Sequence, residues 1–491
     1  MKNLPYDENS IEDILKYTEK LIGQTFYDVL STSFADTMLE TQTQYYDNPR
    51  GKGSLGNLLE EHYFYYTPNS IQDADFSTVG LELKVTPYEV NKNGTFRAGE
   101  RLVLSMIPNN EPIELNFEKS KLKSKISKIL MIWYQRNKLL NRTNYNIDFV
   151  NYFDLYSEQL EKDLLIIVED YYKIASKIIA GKAHELSEGD TNYLGACTKG
   201  STAKKSLQPQ FYNPEVLAKR RAFSFKQSYM TYVLNNYVIP GHMSYDSIFS
   251  KEELKVISFD EEIIKMINIY VGKSESDLFR EFNLEETSAK QKNKLLINRI
   301  LGVGTESAEE FEKANIIIKT VRVNKNNKPR ESMSFPKINI MELVQQDFED
   351  SLEYNFFEST RILFVVFKED NNGIFRLSGS KLWNMPETDI ENDFKKEWNL
   401  YKNKFISGVN FEIIEQYNGK ITIKNDLPKK RTTNIIHMRP HAKKSAYLIN
   451  GIKYGNGTES DMDLLPNGDK IVAQSFWLNN DYVAKIIQDI I

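Results

Sequence analysis

The chain has 491 residues, 63 basic against 68 acidic side chains for a formal net charge of −5, and a hydrophobic content of 41% with 28 Tyr and 27 Phe. That apolar content excludes a disordered chain, the single Cys197 excludes a disulfide framework or a cysteine-rich zinc site, and no window approaches the roughly 18 uninterrupted apolar residues of a spanning helix. One ordinary core cannot serve this length, so two domains of a membrane-free protein in a reducing cytoplasm are expected.

In chain order, Ile11 to Ile22 carries an amphipathic helical pattern, and Gly53-Ser54-Leu55-Gly56-Asn57-Leu58-Leu59-Glu60 reads as a second helix start whose apolar positions leave Glu60 free. Asp75 precedes a short apolar run, Gly80-Leu81-Glu82-Leu83-Lys84-Val85. Period-two alternation puts Glu82 and Lys84 on one face of that strand. Asn91-Lys92-Asn93-Gly94 is a hairpin signal, with Arg101 to Ile107 as its return strand. A basic apolar segment from Lys121 to Trp133 follows, then a long helical pattern over 152–182. Pro240-Gly241 marks the expected boundary, giving domains 1–240 and 241–491. The second opens with helices over 259–301 and continues into another strand-rich region.

Charge on a largely buried strand is costly unless a partner or a metal takes it up. Asp75, Glu82 and Lys84 form the set a magnesium-dependent nuclease needs: carboxylates to hold a hard cation through oxygen, and an ammonium beside water and the scissile phosphate. Glu60 is a third carboxylate able to join them. Simple ion pairing is the alternative for such a spacing in a chain that is 27% charged. Three basic islands strengthen the nuclease reading. Lys119 to Arg142 holds eight basic residues and no acidic one, Lys199 to Lys226 holds seven against Glu215, and Lys420 to Lys444 holds eight against Asp426. Such islands suit phosphate contact. The five histidines have no zinc-ligand spacing, and Cys197 is expected to be a packing residue.

A faint repeat links the two halves. Ala222-Phe223-Ser224-Phe225-Lys226-Gln227-Ser228-Tyr229 lies over Ser475-Phe476-Trp477-Leu478-Asn479-Asn480-Asp481-Tyr482, and Leu81 to Val85 lies over Ile316 to Thr320. Glu82 then faces Ile317 in the alignment, so the second copy cannot hold the metal.

These residues resemble a known family. Gly56-Asn57-Leu58-Leu59-Glu60, Asp75-Phe76, Gly80-Leu81-Glu82-Leu83-Lys84 and the segment around Lys125 resemble the mismatch-repair nicking endonuclease MutH. Lys182-Ala183-His184-Glu185-Leu186-Ser187-Glu188-Gly189, Arg221-Ala222-Phe223-Ser224 and Gln474 to Tyr482 are similar to two-domain type II restriction endonucleases that cleave GATC with a MutH-like half at each end. The resemblance implies an α/β (α+β) fold with two MutH-like domains, each a mixed central sheet flanked by helices. Residues 1–240 would be the catalytic endonuclease domain and 241–491 a catalytically inactive DNA-binding or effector domain.

It further implies that Glu60, Asp75 and Glu82 bind magnesium, that Lys84 places or activates the water, and that Lys125 lies near the DNA backbone. In MutH a loop after the long helix carries Arg-Pro-Lys into the major groove. The first copy has Cys197-Thr198-Lys199 there, keeping only Lys199, whereas the second reads Met438-Arg439-Pro440-His441. Arg439 is therefore a candidate guanine reader with His441 beside it, and Arg220, Arg221 and Lys226 are candidate phosphate contacts. The expected partners are double-stranded DNA, a second copy on DNA for a chain monomeric in solution, and a cognate DNA methyltransferase. A strand-nicking repair enzyme and an inactive sequence-specific DNA-binding protein are the alternatives.

Overall fold

In the computed structural model the strand expected around Glu82 runs from Glu82 to Val90 (β1). The structure describes residues 4–48, 54–67, 73–199, 206–239, 245–285, 292–330, 332–417, 419 and 421–491. Gly53, Lys204, Lys205, the Pro240-Gly241 pair and Lys420 lie outside them. The chain divides into two units, Met1–Phe259 with Thr305–Asn315, and Asp260–Gly304 with Ile316–Ile491.

Residues 245–259 thus belong to the first unit, beyond the boundary expected at 240/241. Polar anchors explain this. Glu310 accepts the N–H groups of Ile248 and Phe249 at 3.0 and 3.3 Å, Asp246 accepts that of Thr305 at 3.0 Å, and Ser258 donates to Glu169 at 3.0 Å. Each buried acceptor left without a donor would cost about 1–3 kcal/mol, so the segments stay together.

In the first unit the remaining strands are β2 (Phe96–Ala98), β3 (Leu102–Met106), β4 (Lys128–Gln135), β5 (Ile147–Asp154), β6 (Leu194–Thr198), β7 (Leu207–Gln208), β8 (Ala218–Lys219) and β9 (Arg221–Phe225). One sheet has the order β2-β1-β4-β5. β1 and β4 are parallel, with Glu82 opposite Ile129 and Lys84 opposite Met131, while β5 returns antiparallel to β4. β4 is buried along Ile129–Tyr134, as an unbroken apolar run at the centre of a covered sheet should be. Helices α1 (Ile11–Thr18), α2 (Phe26–Ser33), α3 (Asp36–Asp47) and α4 (Ser54–His62) pack Ile14, Leu30, Leu58 and Leu59 against Leu81, Leu83 and Leu130.

The return strand differs from expectation. β2, not 101–107, closes the hairpin on β1, with Tyr88 opposite Ala98. β3 instead joins a second sheet of order β3-β9-β6, where Leu102 faces Phe225 and buries its side chain. α5 (Lys121–Ile126) precedes β4, α6 (Glu161–Ile179) follows β5, and α7 (Gln227–Val233) follows β9. Buried Asp170 on α6 accepts the N–H groups of Asn192, Tyr193 and Leu194 at 2.8, 2.6 and 3.0 Å, which fixes the start of β6. One turn-pair earlier, Asp163 accepts from Tyr229 Oη at 3.0 Å.

The second unit repeats this plan. Its strands are β10 (Ile316–Val323), β11 (Met333–Lys337), β12 (Arg361–Glu369), β13 (Phe375–Trp383), β14 (Phe411–Glu415), β15 (Ile421–Asn425), β16 (Ile436–Pro440), β17 (Ala446–Ile449), β18 (Ile452–Gly455), β19 (Met462–Leu464), β20 (Lys470–Val472) and β21 (Gln474–Leu478). β10 is parallel to β12 and β13 antiparallel to it, as for β1, β4 and β5; β11-β21-β16 matches β3-β9-β6. The residue before each leading strand pair, Gly80 or Asn315, is left-handed at φ 64° or 56°. Glu397 repeats Asp170 by accepting the N–H groups of Asn434, Ile435 (3.1 Å) and Ile436 (2.9 Å), and Tyr482 donates to Asp389 at 2.6 Å as Tyr229 does to Asp163. Eight positions separate Asp389 from Glu397 where seven separate Asp163 from Asp170. A π-helical turn at Ile390–Phe394 takes up the extra residue.

Candidate functional site

Glu82 opens β1 with its side chain 3% exposed, and both of its oxygens are engaged. Lys84 Nζ lies 2.5 Å from Oε1, confirming that the two side chains share a face, and Lys125 Nζ lies 2.8 Å from Oε2. Lys125 also donates to the Asp73 carbonyl at 2.5 Å, drawing the segment before β1 onto the strand.

Local sequence explains how Lys125 arrives there. Ser120 caps α5 by accepting the Lys123 N–H at 3.1 Å, and Leu122 and Ile126 bury at i, i+4 spacing. The helix ends directly before β4, whose parallel register sets Ile129 beside Glu82. The end of α5 therefore delivers its last lysine to the start of β1. Lys125, expected near the DNA backbone, stands inside the carboxylate cluster with its side chain 12% exposed. The spacing between α5 and the parallel partner of β1 is the signal that would have found it.

Asp75 accepts the Leu83 N–H at 2.8 Å, which ties it to β1. Burial raises its carboxyl above the ordinary range, and the Glu82 charge raises it further, against Lys84 and Lys125. Glu60, on the last turns of α4 after buried Leu58 and Leu59, is pushed up to about 7 by burial first and by the Asp75 charge second, with Lys84 opposing. The three carboxylates thus repel one another in a partly buried space.

Tyr66 closes the cluster on the α4 side. Its N–H donates to the Glu60 carbonyl at 3.0 Å, its ring meets Phe76 edge-on at 5.7 Å, and Tyr65 before it is left-handed at φ 62°. The Tyr66 hydroxyl is buried and has no hydrogen-bond partner among the described residues.

An oxygen-only donor set under mutual repulsion suits a hard divalent cation. As the side chains stand, no three acidic, histidine or cysteine groups among the described residues are close enough to hold one together. Each Glu82 oxygen carries one ammonium group.

The other expected residues separate into two groups. Lys199, just after β6, is half-buried and Arg220, between β8 and β9, is exposed, with the Lys199 N–H donating to the Arg220 carbonyl at 2.8 Å. Arg439 is exposed at the end of β16 with its guanidinium 5.4 Å from the Trp477 ring centre, and His441 Nδ1 lies 2.8 Å from Ser475 Oγ. Cys197 faces Ala222 as Arg439 faces Ser475, so the two loops arise at corresponding places. Cys197 itself is buried.

Arg221 and Lys226, expected at phosphate, are corrections: each is 1% exposed. Arg221 Nη1 donates to the Ala196 carbonyl at 2.6 Å and Lys226 Nζ to the Thr191 carbonyl at 2.5 Å, so both brace β6 from within. Part of the first basic island is likewise structural. Arg136 pairs with Glu89 at 2.6 Å and Arg142 donates to the Asn48 carbonyl at 2.7 Å.

Residues 64–167, from just after α4 through β1, α5, β4 and β5 into α6, match the family model of the DNA mismatch repair enzyme MutH. The chain is also 35% identical to the type II restriction enzyme Sau3AI of Staphylococcus aureus over 467 residues, which cover 90% of this chain and 94% of that one.

Proposed function

Because the chain belongs to the type II restriction endonucleases that carry a MutH-like domain, we propose that it hydrolyses double-stranded DNA at GATC sites with magnesium, using the cluster around Glu82 in the first unit. The observation that carries this reading is the convergence of Lys84 and Lys125 on Glu82 beside Asp75 and Glu60, an acid and amine set in the matched segment.

Asp75 and Glu82 would hold the cation, with Glu60 completing the set. Bound there, it supplies Lewis-acid polarisation of the phosphodiester and a more acidic water. Lys84 has its ammonium on the Glu82 face of β1, where it stabilises negative charge that develops on the phosphoryl oxygens. Lys125 holds the Asp73 segment and Glu82 in register until DNA and metal arrive. Phe76, packed on Phe64 and Tyr66, fixes the backbone next to Asp75 and keeps bulk water from that side.

In the second unit Ile317 replaces Glu82, so this half serves DNA binding rather than cleavage, with Arg439 reading guanine and His441 beside it. Arg220 and Lys199 meet phosphate in the first unit. One competent site cuts one strand, so two copies act together on DNA. Action in the cytoplasm beside a methyltransferase that protects the host site completes the reading; among the described residues no helix is long and apolar enough to cross a membrane.

The test is digestion of plasmids with and without GATC sites in magnesium, then sequencing of the ends. Linear product with ends inside GATC supports the reading. Intact plasmid at every metal concentration, or cuts unrelated to GATC, ends it.

A further inference from the structure

The chain keeps one half of its catalytic motif in the second unit. Asp75-Phe76 and Gly80-Leu81-Glu82-Leu83-Lys84 correspond without gaps to Glu310-Phe311 and Asn315-Ile316-Ile317-Ile318-Lys319. The register agrees. Lys84 is the third residue of β1, opposite Met131 of the parallel partner, and Lys319 is the fourth of β10, opposite Phe364 of its parallel partner.

Of the two acids that precede the lysine in the motif, one is lost and the other is engaged elsewhere. Isoleucine stands in the Glu82 position, and Glu310, in the Asp75 position, spends its oxygens on Ser247 Oγ at 2.5 Å and on the backbone of Ile248 and Phe249. The position three residues before the central strand, Lys125 in the first unit, is Glu358, fully buried on the preceding helix. No ion pair or hydrogen bond to the Lys319 ammonium is found among the described residues.

An ammonium withdrawn from water without a counter-charge is unfavourable, and burial alone depresses the Lys319 pKa. The side chain is half-buried, so an anion can still approach it from solvent.

We infer that Lys319 is an anion site for a DNA backbone phosphate, a binding remnant of the catalytic lysine that supplies affinity and register without hydrolysis. This rests on the reading of the second unit as a DNA-binding half, and it names a contact that reading does not contain. The phosphate supplies the charge that Glu82 supplies to Lys84 in the first unit.

The experiment uses the full chain without divalent metal, so that DNA is bound and not cut, and a duplex carrying one GATC site. Affinity is measured across a salt series for wild type, Lys319→Met, Lys319→Arg and Arg439→Ala. The expected result for Lys319→Met is weaker binding at low salt and a salt slope shallower by about 0.9, the value for one lost phosphate contact, with Lys319→Arg near wild type. Thermal unfolding of Lys319→Met is expected to be unchanged or raised. Should the methionine variant not fold, Lys319→Gln takes its place in the same series. An unchanged slope, or a lowered unfolding temperature with an unchanged slope, overturns the inference. If Arg439→Ala then still weakens binding, the DNA-binding reading of this unit survives; if neither variant changes binding, both fall.

Discussion

Lys125 Nζ reaches Glu82 Oε2 at 2.8 Å from a helix 43 positions along the chain, while Lys84 takes the other oxygen from the same strand. One nearly buried carboxylate therefore pairs with two ammonium groups, one on each oxygen.

Removing the charge of Glu82 should separate chemistry from folding. Glu82→Ala leaves two ammonium groups facing each other in a site of low exposure and should destabilise the first unit by about 3–5 kcal/mol, the usual cost of breaking a buried pair from one side. Glu82→Gln retains an acceptor oxygen, so it should fold and bind GATC duplex while losing cleavage. Denaturant unfolding and single-turnover cleavage of both variants decide this, and a Gln variant that cuts at the normal rate would remove Glu82 from the mechanism.

Lys84→Met should lower the cleavage rate by about 10²–10³, the range seen when one charge-stabilising donor is removed from a reacting oxygen. Binding of uncut duplex should stay near wild type, because Lys84 already pairs within the chain. Equal losses in rate and in affinity would instead make it a binding residue.

His437, in the second unit, gives a pH signature of its own. Its ring is 2% exposed, Nδ1 donates to Asn479 Oδ1 at 2.5 Å, and Nε2 has no partner among the described residues. Burial, aided by the Arg439 charge and against the Asn479 hydrogen bond, lowers its pKa from 6.5 to about 4. The folded state binds fewer protons than the unfolded one in that interval, so this contribution to stability is complete above pH 6.5 and falls as pH drops towards 4. Ring NMR titration should find one histidine titrating near 4, lost in His437→Gln. A value near 6.5 for that ring would refute the assignment of its environment.

Lys313 belongs to the segment Thr305–Asn315 that returns to the first unit. Its ammonium, 1% exposed, lies 2.6 Å from both Asp163 and Glu309 and 4.4 Å from the centre of the Tyr232 ring. A chain ending at Phe259 lacks that cation and leaves Asp163 buried without it. Lys313→Met should cost the first unit about 3–5 kcal/mol, with Asp163→Asn recovering part of the loss in a double-mutant cycle. Additive losses from the two substitutions would show that the pair is not coupled.

The alternation in Leu81 to Val85 was enough to put Glu82 and Lys84 on one face, since strand period depends only on local backbone geometry. The repeat was legible for a similar reason: corresponding strands kept their apolar pattern even where Arg439 faces Cys197 and Ile317 faces Glu82 across the alignment. Lys125 and Tyr66 were not legible as members of the site. Their positions follow from a parallel strand pairing and from a left-handed residue at Tyr65, and neither leaves a periodic mark in sequence. Arg221 and Lys226 misled because a positive charge in a basic island normally faces solvent, whereas here a backbone carbonyl draws each side chain inward.

The wide turn at Ile390–Phe394 preserves a scaffold. An extra residue in a regular helix swings everything beyond it by about 100°, which would carry Glu397 away from the three amides it holds. Confining the extra residue to a single bulge lets the helix of the second unit be longer than its counterpart while Asp389 and Glu397 keep the same kinds of partner as Asp163 and Asp170.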